Sequence, residues 1–244
     1  MCLFINLLLK SNIAQTALLL FARTANEEVQ YKHLLPGQSL KKQKALFQVL
    51  NTQAENLLKS TELPYFIFNA RHQQGNTFGA RLYAAIAEVF SRGFQNVIVI
   101  GNDCPALLPV HIQKAANCLS TQDVVLGPTD KGGIYLLGLT NRIFGKIKSL
   151  DEIRWQTAAV VEDLNFFFAE KKVSVFFLRQ HTDVNQPTDL KKVVNAKSAQ
   201  PALRKLYFSS LSNKKPLCIG SLQFCLTLPS ISHLVFRGPP VTVL

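Results

Sequence analysis

The chain has 244 residues, of which 48% are hydrophobic and 17% charged, and a formal net charge of +12. That balance excludes wholesale disorder and allows a sizeable core, as one large α/β domain or a domain with an appendage. The five cysteines (Cys2, Cys104, Cys118, Cys218 and Cys225) are odd in number and form no C-x-x-C pair. They argue against a disulfide scaffold and a zinc ribbon, and for a reducing cytoplasm.

The opening "MCLFINLLLK" has neither a basic region before its apolar stretch nor a small-residue cleavage site after it. It reads as a helix packed on the domain rather than a signal peptide. "TALLLFA" (16–22) reads as the first strand, and Thr24-Ala25-Asn26-Glu27 fits a capping box that opens a helix. Residues 38–59 read as a long amphipathic helix and "YFIFN" (65–69) as the next strand. Asn76 or Thr77 then caps a helix whose apolar face runs Phe78, Leu82, Ile86, Val89 and Phe90 before Gly93 ends it.

The strand at 97–101 is unbroken aliphatic sequence that runs into Asn102-Asp103-Cys104-Pro105. A run apolar on both faces marks a central parallel strand covered by helices, and such sheets bind ligands beyond the carboxyl ends of their strands. Asp103 is therefore a candidate ligand-binding carboxylate, with a loop or helix-capping role as the alternative. A helix follows from Pro109 to Leu119, with proline in its first turn. Strands at 123–127 and 134–139 flank a Gly-rich turn, a helical segment spans 155–171, and a further strand spans 173–179. The alternation predicts a mostly parallel, doubly wound α/β sheet in three αβα layers.

Residues 191–244 hold eight Lys or Arg and no acid. Basic clusters attract phosphates, nucleic acid or anionic lipid. No zinc finger, RNP-like aromatic motif or helix-turn-helix accompanies this one, so a nucleic-acid role has no support. A solvated surface, or peripheral contact with an anionic membrane surface, remains. Pro216–Phe236 carries no formal charge, but Gly220, Gln223, Pro229 and His233 interrupt it. It reads as strand or irregular structure packed on the domain rather than a membrane span. The expected organisation is an α/β domain at 1–195 with a basic extension at 196–244 packed on it.

Five stretches in order, "TALLLFARTANEEVQYK", "QGNTFGARL", "VIVIGNDCPAL", "VVLGPTDKGGIYLLGL" and "HTDVNQPTDL", resemble a bacterial family. It is the radical-SAM/selenodomain-associated transferases, glycosyltransferase-like proteins related to molybdenum-cofactor guanylyltransferases. The resemblance covers roughly residues 15–195 and implies a glycosyltransferase-A fold. It also implies that Asp103 presents Mg²⁺ or Mn²⁺ to a donor diphosphate. A hard carboxylate suits those ions, which take one or two carboxylates plus phosphate oxygens and water. Cys104 is too soft for them and reads as packing.

By the same resemblance, Asp183 and Asn185 fall on the first two polar positions of an Asp-x-Asp/Asn-x-Pro-x-Asp-Leu pattern, with Asp183 assisting the metal. Asp189 reads as a helix cap and His181 as a surface or core histidine. Arg23 and Lys32 fall where the superfamily places phosphate-binding groups, although Glu27 and Glu28 in that helix's first turn repel an anion. Gly75, Gly79 and Arg81 surround a helix start, where close approach to a base or ribose, or simply a tight turn, would explain the glycines. Asp130, Lys131, Gly132 and Gly133 form a turn in which the family normally has Asp immediately before the two glycines. This chain has Lys131 there and Asp130 one place earlier, so Lys131 reads either as a point charge that meets an anion or as a solvent-facing lysine. Asp151 and Glu152 are possible general bases, or helix N-terminal acids.

The implied function is binding of a nucleotide-diphosphate sugar through the metal and transfer of the sugar to an unknown acceptor. The alternatives are nucleotidyl transfer from a nucleoside triphosphate with release of pyrophosphate, and a non-catalytic nucleotide-binding or interaction protein.

Overall fold

The structure, a computed structural model, describes residues 15–212. The expectations for the first ten residues, for Pro216–Phe236 and for Cys2, Cys218 and Cys225 lie outside them. In chain order the elements are β1 (Thr16–Phe21), α1 (Ala25–Tyr31), α2 (Leu40–Lys59), β2 (Tyr65–Phe68), α3 (Phe78–Ser91), β3 (Asn96–Ile100) and α4 (Pro109–Cys118). There follow β4 (Val124–Pro128), β5 (Ile134–Thr140), α5 (Asn141–Phe144), α6 (Val160–Glu170), β6 (Val175–Phe177), α7 (Pro187–Asn195) and α8 (Pro201–Ser212).

Six strands form one sheet in the order β2-β1-β3-β5-β4-β6. Only β5 runs against the others, pairing antiparallel with β3 and β4. The two-residue period of each strand divides the core into two apolar layers. Leu19, Val99 and Leu137 face α3 and α6, while Leu18, Ile98 and Leu136 face α2 and α4. The αβα architecture expected from the alternation is therefore present. A third apolar cluster joins α1, α2, α7 and α8 through residues such as Val29, Phe47, Leu190 and Leu203.

Several bounds differ from the sequence reading. The helix expected from 155 begins at Val160, because residues 151–159 form turns in which Gln156 has φ 64°. The strand expected over 173–179 is confined to Val175–Phe177. Asp151 and Glu152 lie in this turn region, not at a helix start.

Topology places the site. From β1 the chain moves to β2 on one side and later to β3 on the other, so a crevice opens between the carboxyl ends of β1 and β3. The reversed direction of β5 carries the turn before it, residues 129–133, to the same end of the sheet. Among the described residues no helix is long and apolar enough to cross a membrane.

Candidate functional site

A cavity of about 690 Å³ lies at this end of the sheet. Of the residues singled out in the sequence, Arg23, Lys32, Arg81, Asp103, Lys131, Gly133, Asp183 and Asn185 line it. They come from five separate parts of the chain, and specific bonds gather them. Asn51 on α2 receives the Asn102 amide at 2.5 Å and donates to the Arg23 carbonyl at 3.2 Å, which links the exits of β3 and β1. The Val184 N–H donates to the Asp103 carbonyl at 2.7 Å and holds the 181–185 segment against the end of β3.

The carboxylates are differently placed. Asp103 Oδ2 accepts from Lys32 Nζ at 3.2 Å. Asp183 Oδ2 accepts from Asn185 Nδ2 at 2.5 Å, while its Oδ1 is buried with no hydrogen-bond partner. Burial first, and the Asp103 charge second, hold the Asp183 carboxyl above its usual range. A buried, unpaired carboxylate oxygen carries a desolvation cost that a cation or a donor would relieve. Among the described residues no three His, Cys, Asp or Glu are grouped to hold a metal ion. Two carboxylates with one orphaned oxygen nevertheless fit a hard divalent cation that completes its shell with phosphate oxygens and water.

Four of the expected residues do not line the cavity. Gly79 is filled by the chain itself, since a Cβ there would lie 2.4 Å from the Leu150 carbonyl oxygen. A Cβ on Gly132 (φ 80°) would lie 1.9 Å from the Ala158 carbonyl oxygen. Both glycines permit backbone packing and leave no room for a ligand. Gly75 has φ 128° and turns the chain into α3, where its carbonyl accepts from Arg81 at 3.4 Å. The Asp130 carboxylate accepts from Lys192 on α7 and from Thr182 ahead of that helix, outside the cavity.

Lys131 faces the cavity but is not a free cation. Its Nζ pairs with Asp189 Oδ1 at 2.6 Å. Asp189 also caps α7, its Oδ2 accepting from the N–H groups of Asn185 and Gln186 at 3.2 and 2.9 Å. The cap read from the sequence is present, and it has a second duty. Arg23 stacks on Tyr31, 4.1 Å from the ring centroid. Cys104 packs in the core, where burial pushes its thiol up to about 12. His181 lies against His111 and Tyr135, at centroid distances of 4.7 and 5.0 Å, and does not line the cavity. Asp151 is an exposed acceptor for Thr77 and Ser149, also outside the cavity.

Sequence reasoning missed Glu28 and the aromatic wall. Glu27 and Glu28 are adjacent first-turn acids, but the Glu27 carboxylate accepts from Thr24 N at 2.8 Å and completes the cap. Glu28 instead lines the cavity, 5% exposed, with Oε2 unpartnered, and burial raises its carboxyl above the ordinary value. Phe78 and Trp155 form the apolar wall with ring centroids 5.2 Å apart, and Trp155 donates its indole N–H to the Leu150 carbonyl. The capping-box pattern was the one available signal that the two glutamates have different tasks.

A protein from Desulfovibrio desulfuricans G20 assigned as a nucleotide-diphospho-sugar transferase superposes with a TM-score of 0.70 at 21% identity, covering 82% of this chain and 96% of its own. The fold is that of the nucleotide-diphospho-sugar transferases. A family profile described as "Uncharacterized protein conserved in bacteria (DUF2064)" matches residues 39–157, from the start of α2 to the turn beyond Trp155. Two further structures match more remotely. One is a nucleotidyl transferase from Methanothermobacter thermautotroptrophicus, with TM-score 0.43, 12% identity, and 78% and 98% of the two chains covered. The other is a Mycobacterium sp. strain JC1 homologue of a Mycobacterium tuberculosis protein, with TM-score 0.43, 10% identity, and 80% and 98% covered. No curated protein matches the chain in sequence. On the nucleotide-diphospho-sugar transferase fold, the cavity built by Asp103, Asp183 and their basic neighbours occupies the crevice outside the strand ends.

Proposed function

We propose that the chain binds a nucleotide-diphosphate sugar with Mg²⁺ or Mn²⁺ and transfers the sugar to an acceptor. The observation that carries this reading is the orphaned, buried Oδ1 of Asp183 beside Asp103, in a cavity that also presents Arg23, Lys32 and Lys131. Asp103 and Asp183 would hold the metal, with Asn185 fixing the Asp183 carboxylate by its 2.5 Å bond. A divalent ion there supplies charge neutralisation for the departing nucleotide diphosphate. Arg23, held on Tyr31, supplies a fixed positive charge to the phosphates. The Phe78–Trp155 wall offers an apolar face to a base or sugar ring.

Thermal shift with common nucleotides and nucleotide sugars, each with and without Mn²⁺, tests the reading. A ligand at about a hundred times its Kd adds roughly 2.7 kcal/mol of stability. No metal-dependent shift with any donor would refute it. Analysis of the released product then separates the reactions, because sugar transfer leaves a nucleoside diphosphate and nucleotidyl transfer leaves pyrophosphate. Binding without turnover across a broad acceptor panel would instead identify a non-catalytic nucleotide-binding protein.

A further inference from the structure

Two charged groups on the first helix of the site have no role in the reading above that explains their positions. Lys32, the residue after α1, pairs with Asp103 at 3.2 Å, with only 18% of its side chain exposed. Its ammonium lies on the carboxylate that the proposed function assigns to a metal. Glu28 lies one helical turn earlier, and the Lys32 N–H donates to its carbonyl at 2.9 Å. Glu28 is buried, lines the same cavity and leaves Oε2 without a partner. Glu four residues before Lys is the favourable order for an ion pair within a helix, but Lys32 is the extended residue that closes α1. Here the pair is not made, and the lysine reaches across to Asp103.

We propose that Lys32 is a built-in exchangeable cation, holding Asp103 in the metal-free chain and passing to Glu28 when a divalent ion enters. The inference rests on Asp103 being a metal ligand, as proposed above. The Lys32 ammonium occupies Oδ2 of Asp103, and a divalent ion bound by the same carboxylate would meet its repulsion at close range. Entry of the ion therefore costs the Lys32–Asp103 pair. A displaced Lys32 left unpaired in a half-buried site would carry its own desolvation cost. The unpartnered Glu28 carboxylate would remove that cost, and Lys32 is the largest favourable charge acting on it already. A lysine suits this exchange because its compact ammonium sits on a flexible four-carbon stem. The exchange makes metal affinity low until a donor's phosphates supply further ligands, so that metal and donor favour each other's binding.

Mn²⁺ titration of the full chain without nucleotide, read by the electron-paramagnetic signal of free Mn²⁺, tests the exchange. Lys32→Met should bind Mn²⁺ about tenfold more tightly than the natural chain, the scale of one half-screened ion pair. Lys32→Arg, which keeps the charge, should show no such gain. Glu28→Gln should weaken Mn²⁺ binding in the natural background and lose that effect in the Lys32→Met background. Circular dichroism and the Tm of each variant establish that it is folded. Equal affinity of Lys32→Met and the natural chain would overturn the exchange alone. The same gain in Lys32→Arg would do so too, by showing that charge is not the cause. An equal effect of Glu28→Gln in both backgrounds would overturn the hand-over to Glu28. Mn²⁺ binding unchanged by Asp103→Asn, or no binding even with nucleotide, would refute the metal reading and the exchange with it.

Discussion

Lys131 Nζ lies 2.6 Å from Asp189 Oδ1, and the Asp189 side chain is 5% exposed while that of Lys131 is 42% exposed. One residue earlier, Asp130 pairs with Lys192 on the same helix. Two ion pairs of opposite sense thus clamp the turn before β5 to α7, the helix that Asp189 also caps. The reading of Lys131 as a free point charge that meets an anion is revised accordingly. Any phosphate competes with a buried carboxylate for it.

The clamp gives an order of stabilities. Lys131→Met should cost about 1–2 kcal/mol, less than a fully buried pair because Lys131 is partly solvated and Asp189 keeps two backbone donors. Lys131→Asp should cost more, since it places a second carboxylate against Asp189. Urea unfolding measures both. A Lys131→Asp protein as stable as the natural one would show that the pair does not hold the turn.

The sequence made legible what depends on local pattern. The run Val97–Ile100, apolar on both faces, marked a central strand, and the strand is fully buried. The Thr77 cap is present, its hydroxyl accepting from the Ala80 N–H at 2.9 Å. What was not legible depends on distant partners. Lys131 and Asp189 are 58 positions apart, and nothing local announces their pairing. At Gly79 and Gly132 the sequence left ligand approach and a turn both open, because a close backbone neighbour and a close ligand impose the same demand, absence of a Cβ. Trp155, at the start of the helical segment expected over 155–171, sits in a turn and packs on Phe78.

Asp103→Asn should abolish metal-dependent donor binding while barely changing the fold, because the amide keeps the shape and loses the charge. It also releases Lys32 from its partner. Nucleotide binding measured without metal should therefore persist or strengthen slightly, while the increment from Mn²⁺ disappears. Calorimetric titration of a nucleoside diphosphate with and without Mn²⁺ reads both quantities. An unchanged Mn²⁺ increment would remove Asp103 from the metal site.

Glu28 gives a pH dependence with a definite sign. Burial raises its carboxyl in the folded chain above the ordinary 4.5. The folded state then binds the proton more tightly than the unfolded one, so the group's cost to stability is full above the folded value. That cost fades as pH falls through the folded value and is gone below 4.5. Glu28→Gln removes it, so the unliganded variant should be more stable at pH 7, by about 1 kcal/mol. For a chain of this size that corresponds to about 2–4 °C in Tm. The difference should shrink towards zero as the pH is lowered to 4. Asp183 has a raised carboxyl as well, but it is common to both proteins and cancels in the difference. A Tm difference independent of pH would contradict the assignment of a buried, chargeable Glu28.

Gly132 separates backbone conformation from backbone packing. Gly37 and Gly132 have nearly the same φ, 75° and 80°. Around Gly37 a Cβ would meet nothing within 4 Å, whereas on Gly132 it would lie 1.9 Å from the Ala158 carbonyl oxygen and 2.8 Å from its carbon. Gly37→Ala thus isolates the left-handed conformation, which costs about 1 kcal/mol for a residue with a Cβ. Gly132→Ala adds a clash with main chain that no rotamer relieves, and should cost about 3 kcal/mol or more. The damage should also reach the ligand. Thr157 and Ala158 line the cavity, and the Val161 N–H donates to the Gly132 carbonyl at 3.0 Å, so pushing this loop away reshapes the wall beside Trp155. Gly132→Ala should therefore weaken donor binding at temperatures where it remains folded, while Gly37→Ala leaves it unchanged. Equal destabilisation of the two variants would mean that conformation alone explains the glycine. Donor affinity unaltered in Gly132→Ala would detach the 157–158 loop from the binding wall.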